Sequence, residues 1–187
     1  MNILVLNGSP HPDGNTSAMA QAFAEGAKEA GNGVTVLKIG TKKIAACQAC
    51  EFCHTRGNGE CVQQDDMQEV YPALKEAEML VLASPVHYFG MSGQMQCAIS
   101  RIYALKAPPK MKKVALLLSS SSPGVYGAAT QQYRDAFVNF MKGQDMGIIT
   151  ANGAENKSAA KLAECRHRRS EERRVGKECR SRWSPYH

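Results

Sequence analysis

Short apolar runs alternate with segments of helical period along most of this chain, and few architectures accommodate that order. The candidate strands are Asn2–Leu6, Val34–Lys38, Met79–Ala83, Val114–Leu118 and Gly147–Ala151. Each is too short to stand as a helix, and several are continuously apolar, as strands buried on both faces must be. Between the first two, Met19, Ala22, Phe23, Gly26, Ala27 and Ala30 recur at helical spacing. Polar Asn15 and Thr16 precede that segment and Gly31-Asn32-Gly33 ends it. Further helices are expected at Met67–Glu76, Gly93–Leu105, Ala128–Met141 and from about Ala154 onward. The pattern predicts an α/β fold, a doubly wound five-stranded parallel sheet covered on both faces. Its 187 residues suit one domain.

Two regions depart from the alternation. Ile44–Asp66 carries a cysteine cluster and reads as an ordered insertion after the second strand. From Arg166 the helical period stops, and a basic stretch follows with no apolar face. Residues 166–187 hold eight Lys/Arg against three Asp/Glu, which leaves residues 1–165 with fifteen against fourteen. The net charge of +6 therefore belongs to the tail, and the near-neutral body gives no footprint for nucleic acid. Arg169–His187 reads as a translated adapter sequence, so the domain is expected to end near residue 165. No stretch approaches the ~20 apolar residues of a membrane helix. The start, Met1-Asn2-Ile3-Leu4, lacks a basic region ahead of its apolar run, so a cytoplasmic protein is expected.

In a doubly wound sheet, phosphate-bearing ligands sit outside the carboxyl ends of the strands. Asn7-Gly8-Ser9-Pro10-His11-Pro12-Asp13-Gly14-Asn15-Thr16-Ser17 follows the first strand. Ser9, Asn15, Thr16 and Ser17 offer short donors, His11 lies beside them, and a helix N-terminus offers backbone N–H groups. No Gly-Lys-Ser/Thr ends the loop and it has no Gly-x-Gly-x-x-Gly turn, so a monophosphate on neutral donors fits better than a nucleoside triphosphate. After the third strand, Pro85-Val86-His87-Tyr88-Phe89 sets an apolar, aromatic run at the mouth of the sheet, as a flat ring system needs. After the fourth, Ser119-Ser120-Ser121 supplies a small polar wall.

Gly8-Ser9-Pro10 with Gly14-Asn15-Thr16-Ser17, Asp65-Asp66-Met67, and Ser84-Pro85-Val86-His87-Tyr88-Phe89 followed by Ser92-Gly93 together resemble the flavodoxin-like NAD(P)H-dependent FMN reductases, and among them the iron–sulfur flavoproteins. The resemblance spans nearly all of residues 1–164. It implies strand order 2-1-3-4-5, an FMN phosphate on the first loop and an isoalloxazine ring against the segment after the third strand. It also implies NAD(P)H as co-substrate and a homodimer or homotetramer. The cofactor-binding candidates are then Ser9, His11, Asn15, Thr16, Ser17, Pro85, Val86, His87, Tyr88, Phe89, Ser119, Ser120 and Ser121. Two departures stand out. His87 occupies a position where an aromatic such as tyrosine is usual, and Gln96 and Ser100 replace a familiar lysine and aspartate.

Cys47-x2-Cys50-x2-Cys53-x7-Cys61 places four thiolates within fifteen residues. Three cysteines at two-residue gaps suit a cubane, because the chain can wrap one corner of it. The resemblance implies a [4Fe–4S] cluster on Cys47, Cys50, Cys53 and Cys61. A structural zinc and unmetallated thiols remain open. Cys50-Glu51-Phe52-Cys53-His54 also matches a c-type haem attachment pattern, but it lies inside the longer cluster and nothing directs export.

The expected chemistry is that of a flavin, and no catalytic acid–base pair is required. The expected acceptor is a small molecule such as a quinone, nitro or azo compound, or a ferredoxin-like protein. The alternatives are an electron carrier that uses no pyridine nucleotide, and a zinc-stapled interaction module.

Overall fold

A computed structural model of the chain describes residues 1–153. Its strands are β1 (Asn2–Asn7), β2 (Gly33–Leu37), β3 (Met79–His87), β4 (Gly90–Met91), β5 (Lys113–Ser119) and β6 (Gln144–Ala151). Its helices are α1 (Asn15–Glu29), the single-turn α2 (Phe52–Thr55), α3 (Met67–Glu76), α4 (Gly93–Ile102) and α5 (Gly127–Tyr133). The order across the sheet is β2-β1-β3-β5-β6, every neighbouring pair parallel. With β4 set aside this is the expected 2-1-3-4-5 arrangement, a flavodoxin-like sheet.

Alternation along β1 divides the core in two. Ile3 and Val5 face α1, where Met19, Ala20 and Phe23 are buried, together with Val81 from β3 and Leu117 from β5. Leu4 and Leu6 face the opposite layer, built on α3 (Val70, Leu74), α4 (Met95, Ile102) and α5 (Ala129, Tyr133). Each fully buried Leu or Ile contributes about 1.5–3 kcal/mol of transfer free energy. The two-residue period of a strand thus specifies both faces at once.

The structure revises several expected boundaries. β3 runs on through Ser84, Pro85, Val86 and His87, which the sequence reading placed in a loop. It then reverses into β4, a sixth strand that pairs antiparallel with it. Pairing with β1 ends at Ala83, so Pro85 has a strand neighbour only on its β5 side and its missing N–H costs the sheet little. The helix expected over Ala128–Met141 is α-helical to Tyr133 and winds as a wider π-helix over Arg134–Phe140. β6 begins at Gln144, ahead of Gly147. The cysteine-bearing segment lies between β2 and α3 and is irregular except for α2. The helix expected from Ala154 and the basic tail lie outside the described residues. Among the described residues no helix is long and apolar enough to cross a membrane.

Candidate functional site

At the carboxyl ends of the strands, the loop after β1 is folded by its own polar side chains. Asn7 Oδ1 accepts from the Ser9 backbone N–H at 3.0 Å, and Asn7 Nδ2 donates to Ser17 Oγ at 2.9 Å. The hydroxyls of Ser9 and Ser17 both donate to the His11 carbonyl, at 3.1 and 3.0 Å. The N-cap of α1 is Gly14, which has no side chain to close the first helical turn. An N-terminus of this kind carries backbone donors and partial positive charge toward an anion.

The second segment is the β3–β4 hairpin. Its turn residues Tyr88 and Phe89 both have left-handed φ, 50° and 66°, the geometry of a type I′ turn. Tyr88 is fully exposed and Phe89 is 62% exposed. Pro85 and Val86 are half-buried and His87 is exposed. The hairpin is anchored beneath by two buried serines. Ser84 Oγ accepts from the Ser92 N–H at 2.9 Å, and Ser92 Oγ donates to the Gly8 carbonyl at 2.7 Å. Ser92 also caps α4, accepting from the Met95 N–H at 3.3 Å.

The third segment is the tip of β5. Ser119 and Ser120 are buried and Ser121 is exposed. The Ser119 hydroxyl lies 2.6 Å from that of Thr16. Ser120 Oγ donates to the Tyr126 hydroxyl at 2.7 Å, which in turn donates to the Ala151 carbonyl at 2.9 Å. Burial raises the Tyr126 pKa, so the phenol stays protonated and keeps that donor role. The first loop, the hairpin and the β5 tip are therefore one hydrogen-bonded assembly.

The four cysteines come together elsewhere. Left-handed backbone at Ala49 (φ 51°) and Glu51 (φ 54°) folds the chain back on itself between Cys47 and α2. Cys47, Cys50, Cys53 and Cys61 all line one small, open recess, with Arg101 and Tyr103 in its wall. All four thiols are free of disulfides, and burial pushes the Cys53 thiol up from its ordinary pKa. Among the described residues, no three His, Cys, Asp or Glu side chains are arranged to hold one metal ion. Arg101 also has one buried donor, Nε, with no hydrogen-bond partner among the described residues.

The sequence matches the NADPH-dependent FMN reductase family over residues 1–156. The chain belongs to that family. FMN is the cofactor that membership in the FMN reductases assigns to it. The chain is 36% identical over 112 residues to an iron–sulfur flavoprotein of Archaeoglobus fulgidus, covering 60% of this chain and 50% of that one. It is 28% identical over 141 residues to an iron–sulfur flavoprotein of Methanocaldococcus jannaschii, covering 74% and 72%. The chain thus spans half the length of the first of these relatives. Among solved structures it resembles an NAD(P)H:quinone oxidoreductase from Methanothermobacter marburgensis, with TM-score 0.70, 14% identity and coverage of 91% and 92%. It also resembles an FMN-dependent NADH-azoreductase from Bacillus anthracis, with TM-score 0.61, 15% identity and coverage of 92% and 97%. At these identities the structural likeness speaks for the fold.

Within this member of the family, the candidate residues of the three strand-end segments share one end of the sheet. Ser9, Thr16, Ser119 and Ser120 are largely enclosed there, with hydroxyls engaged inside the protein. Their hydroxyls hold the shape of the loops. The reading of single residues missed the roles of Ser84, Ser92 and Tyr126. Ser92 did carry a signal, a helix-capping residue directly ahead of Gly93. Arg101 was missed altogether.

Proposed function

We propose that this chain is an FMN-dependent oxidoreductase that takes electrons from NAD(P)H and delivers them to a small-molecule acceptor of the quinone, nitro or azo class. The observation that carries the reading is the joining of three strand-end segments through Thr16–Ser119 and Ser92–Gly8. That assembly sets an uncapped helix N-terminus beside an aromatic hairpin. The first suits a phosphate on neutral donors, and the second suits the edge and face of a planar ring.

FMN supplies hydride acceptance and one- or two-electron release when bound. The residues hold and orient it. Backbone N–H groups at the start of α1 bind the phosphate, and Ser9, Ser17 and Asn7 keep that loop in shape. Pro85, Val86 and His87 border the ring, with Tyr88 and Phe89 screening it from water. None of these needs to move a proton for hydride transfer.

Cys47, Cys50, Cys53 and Cys61 are proposed to hold a [4Fe–4S] cluster, which would give the chain a one-electron outlet. Support comes from the recess that all four thiols line and from the naming of the relatives as iron–sulfur flavoproteins. An anaerobic absorption spectrum with flavin, iron and sulfide analysis tests both sites together. The expected result is one FMN with four iron and four sulfide per chain, and NADPH oxidation on adding a quinone. Colourless protein that ignores added FMN would sink the flavin reading. Zinc without iron, or no metal after anaerobic reconstitution, would sink the cluster reading.

A further inference from the structure

Arg101 occupies an unusual position for a cation. Among the described residues it is the only Lys, Arg, Asp or Glu that is buried, with its side chain 0% exposed. Part of its guanidinium is accounted for. NH1 donates to Asp65 Oδ2 at 2.7 Å and to the Ala45 carbonyl at 3.1 Å, and NH2 donates to the Gln63 carbonyl at 3.4 Å. Those bonds join the two arms of the cysteine segment, Ala45 two residues before Cys47 and Gln63 two residues after Cys61. Nε is different. Among the described residues it is the one buried side-chain nitrogen or oxygen without a hydrogen-bond partner.

A staple between two arms requires only the outer nitrogens. It does not explain why Nε, on a residue that also lines the recess of the four thiols, is left without an acceptor. Buried donors without acceptors are rare, and each calls for an explanation. Sulfur carrying negative charge is the acceptor that the recess chemistry supplies.

We propose that Arg101 is a positioning and potential-setting residue for an iron–sulfur cluster in the recess, its Nε–H donating to a cluster or cysteinyl sulfur. This rests on the cluster reading above and extends it. Net charge and hydrogen bonds to sulfur both set the potential of such a group. An enclosed guanidinium stabilises the more reduced, more anionic form. Arg101 therefore holds the potential up, within reach of an electron from the flavin.

The test uses the full chain, reconstituted anaerobically and reduced. In protein labelled with ¹⁵N-arginine, pulsed EPR should detect a ¹⁵N coupled to the reduced cluster, and Arg101→Lys should abolish that signal. Redox titration followed by EPR should show a more negative midpoint in Arg101→Lys and a still more negative one in Arg101→Gln. EPR reads only the fraction that carries a cluster, so partial loading does not blur the comparison. If Arg101→Gln fails to fold, the labelled wild type and the lysine variant still decide the matter. A purely stapling role would lower loading but leave the potential unmoved and the ¹⁵N signal absent, and that outcome overturns the proposal. Wild type that takes up no iron or sulfide overturns the cluster reading beneath it, a separate and distinguishable failure.

Discussion

The hydroxyl oxygens of Thr16 and Ser119 lie 2.6 Å apart although 103 residues separate them in the chain. Both side chains are buried, so each satisfies the other where water does not reach. Ser119→Ala leaves the Thr16 hydroxyl without its partner and should cost about 1–3 kcal/mol in urea denaturation. Thr16→Val with Ser119→Ala removes both polar groups and should recover part of that loss. If the bond shapes the flavin loop, FMN affinity measured by fluorescence quenching should fall in the single variant by about tenfold, equivalent to ~1.4 kcal/mol.

Asp65 gives a pH dependence with a defined sign. Burial alone would raise its pKa, but hydrogen bonds from Arg101 and from the Ala45 and Met67 backbone N–H groups outweigh burial and hold the carboxyl below its ordinary value. A carboxylate with a depressed folded pKa adds stability above its unfolded pKa, ~3.9, and loses that stability as pH falls through the lower folded value. Asp65→Asn leaves Arg101 unpaired and should cost about 2–4 kcal/mol at neutral pH. That is slightly under the range for a fully enclosed pair, since Asp65 keeps 17% exposure. Urea melts of metal-free protein should show the gap between wild type and variant closing below about pH 4. A gap that stays constant with pH would contradict the Asp65–Arg101 assignment.

What could be read from the residues follows from how local each signal is. The strands of the parallel sheet announced themselves because apolar runs such as Leu80-Val81-Leu82 and Leu116-Leu117-Leu118 are buried on both faces. The cysteine spacing led to a common recess because short gaps leave the chain few ways to keep the four thiols apart. Ser84 to His87 read as a loop because Pro85 disfavours a ladder, and only the neighbouring β5 shows that the strand continues. Arg101 drew no reading, since nothing in its own helix marks it out. Its burial is decided by Ala45, Gln63 and Asp65, 36 to 56 positions away, and no local window contains them.

Gly40 ties the approach to the cysteine segment to the loop after β1 through bare backbone. A Cβ built there would lie 2.0 Å from the Ser9 carbonyl oxygen and 2.3 Å from its carbon. Main chain cannot swing aside as a long side chain can, so Gly40→Ala must push the first loop away from its place. The expected loss is about 2–3 kcal/mol or more, with weakened FMN binding. Gly26→Ala is the matched control, since nothing lies within 4 Å of a Cβ built there, in the last turn of α1. That variant should gain up to about 1 kcal/mol by helix propensity and bind FMN unchanged.

Tyr88 and Phe89 hold left-handed backbone without being glycine or asparagine, a conformation that costs about 1–2 kcal/mol for each such residue. Neither side chain recovers that cost inside the core, since Tyr88 is fully exposed and Phe89 is mostly so. Strain of this sort persists at sites where a ligand uses it. Tyr88→Asn with Phe89→Gly installs the residues that a type I′ turn prefers and should stabilise the flavin-free protein by about 1–2 kcal/mol in urea denaturation. The same change removes the aromatic screen over the ring, so FMN affinity should fall about tenfold and NADPH oxidation with it. Stability and binding would then move in opposite directions in one variant. A protein that gains no stability would refute the strain argument. One that gains it and binds FMN as before would show that the hairpin's aromatic tip takes no part in holding the flavin.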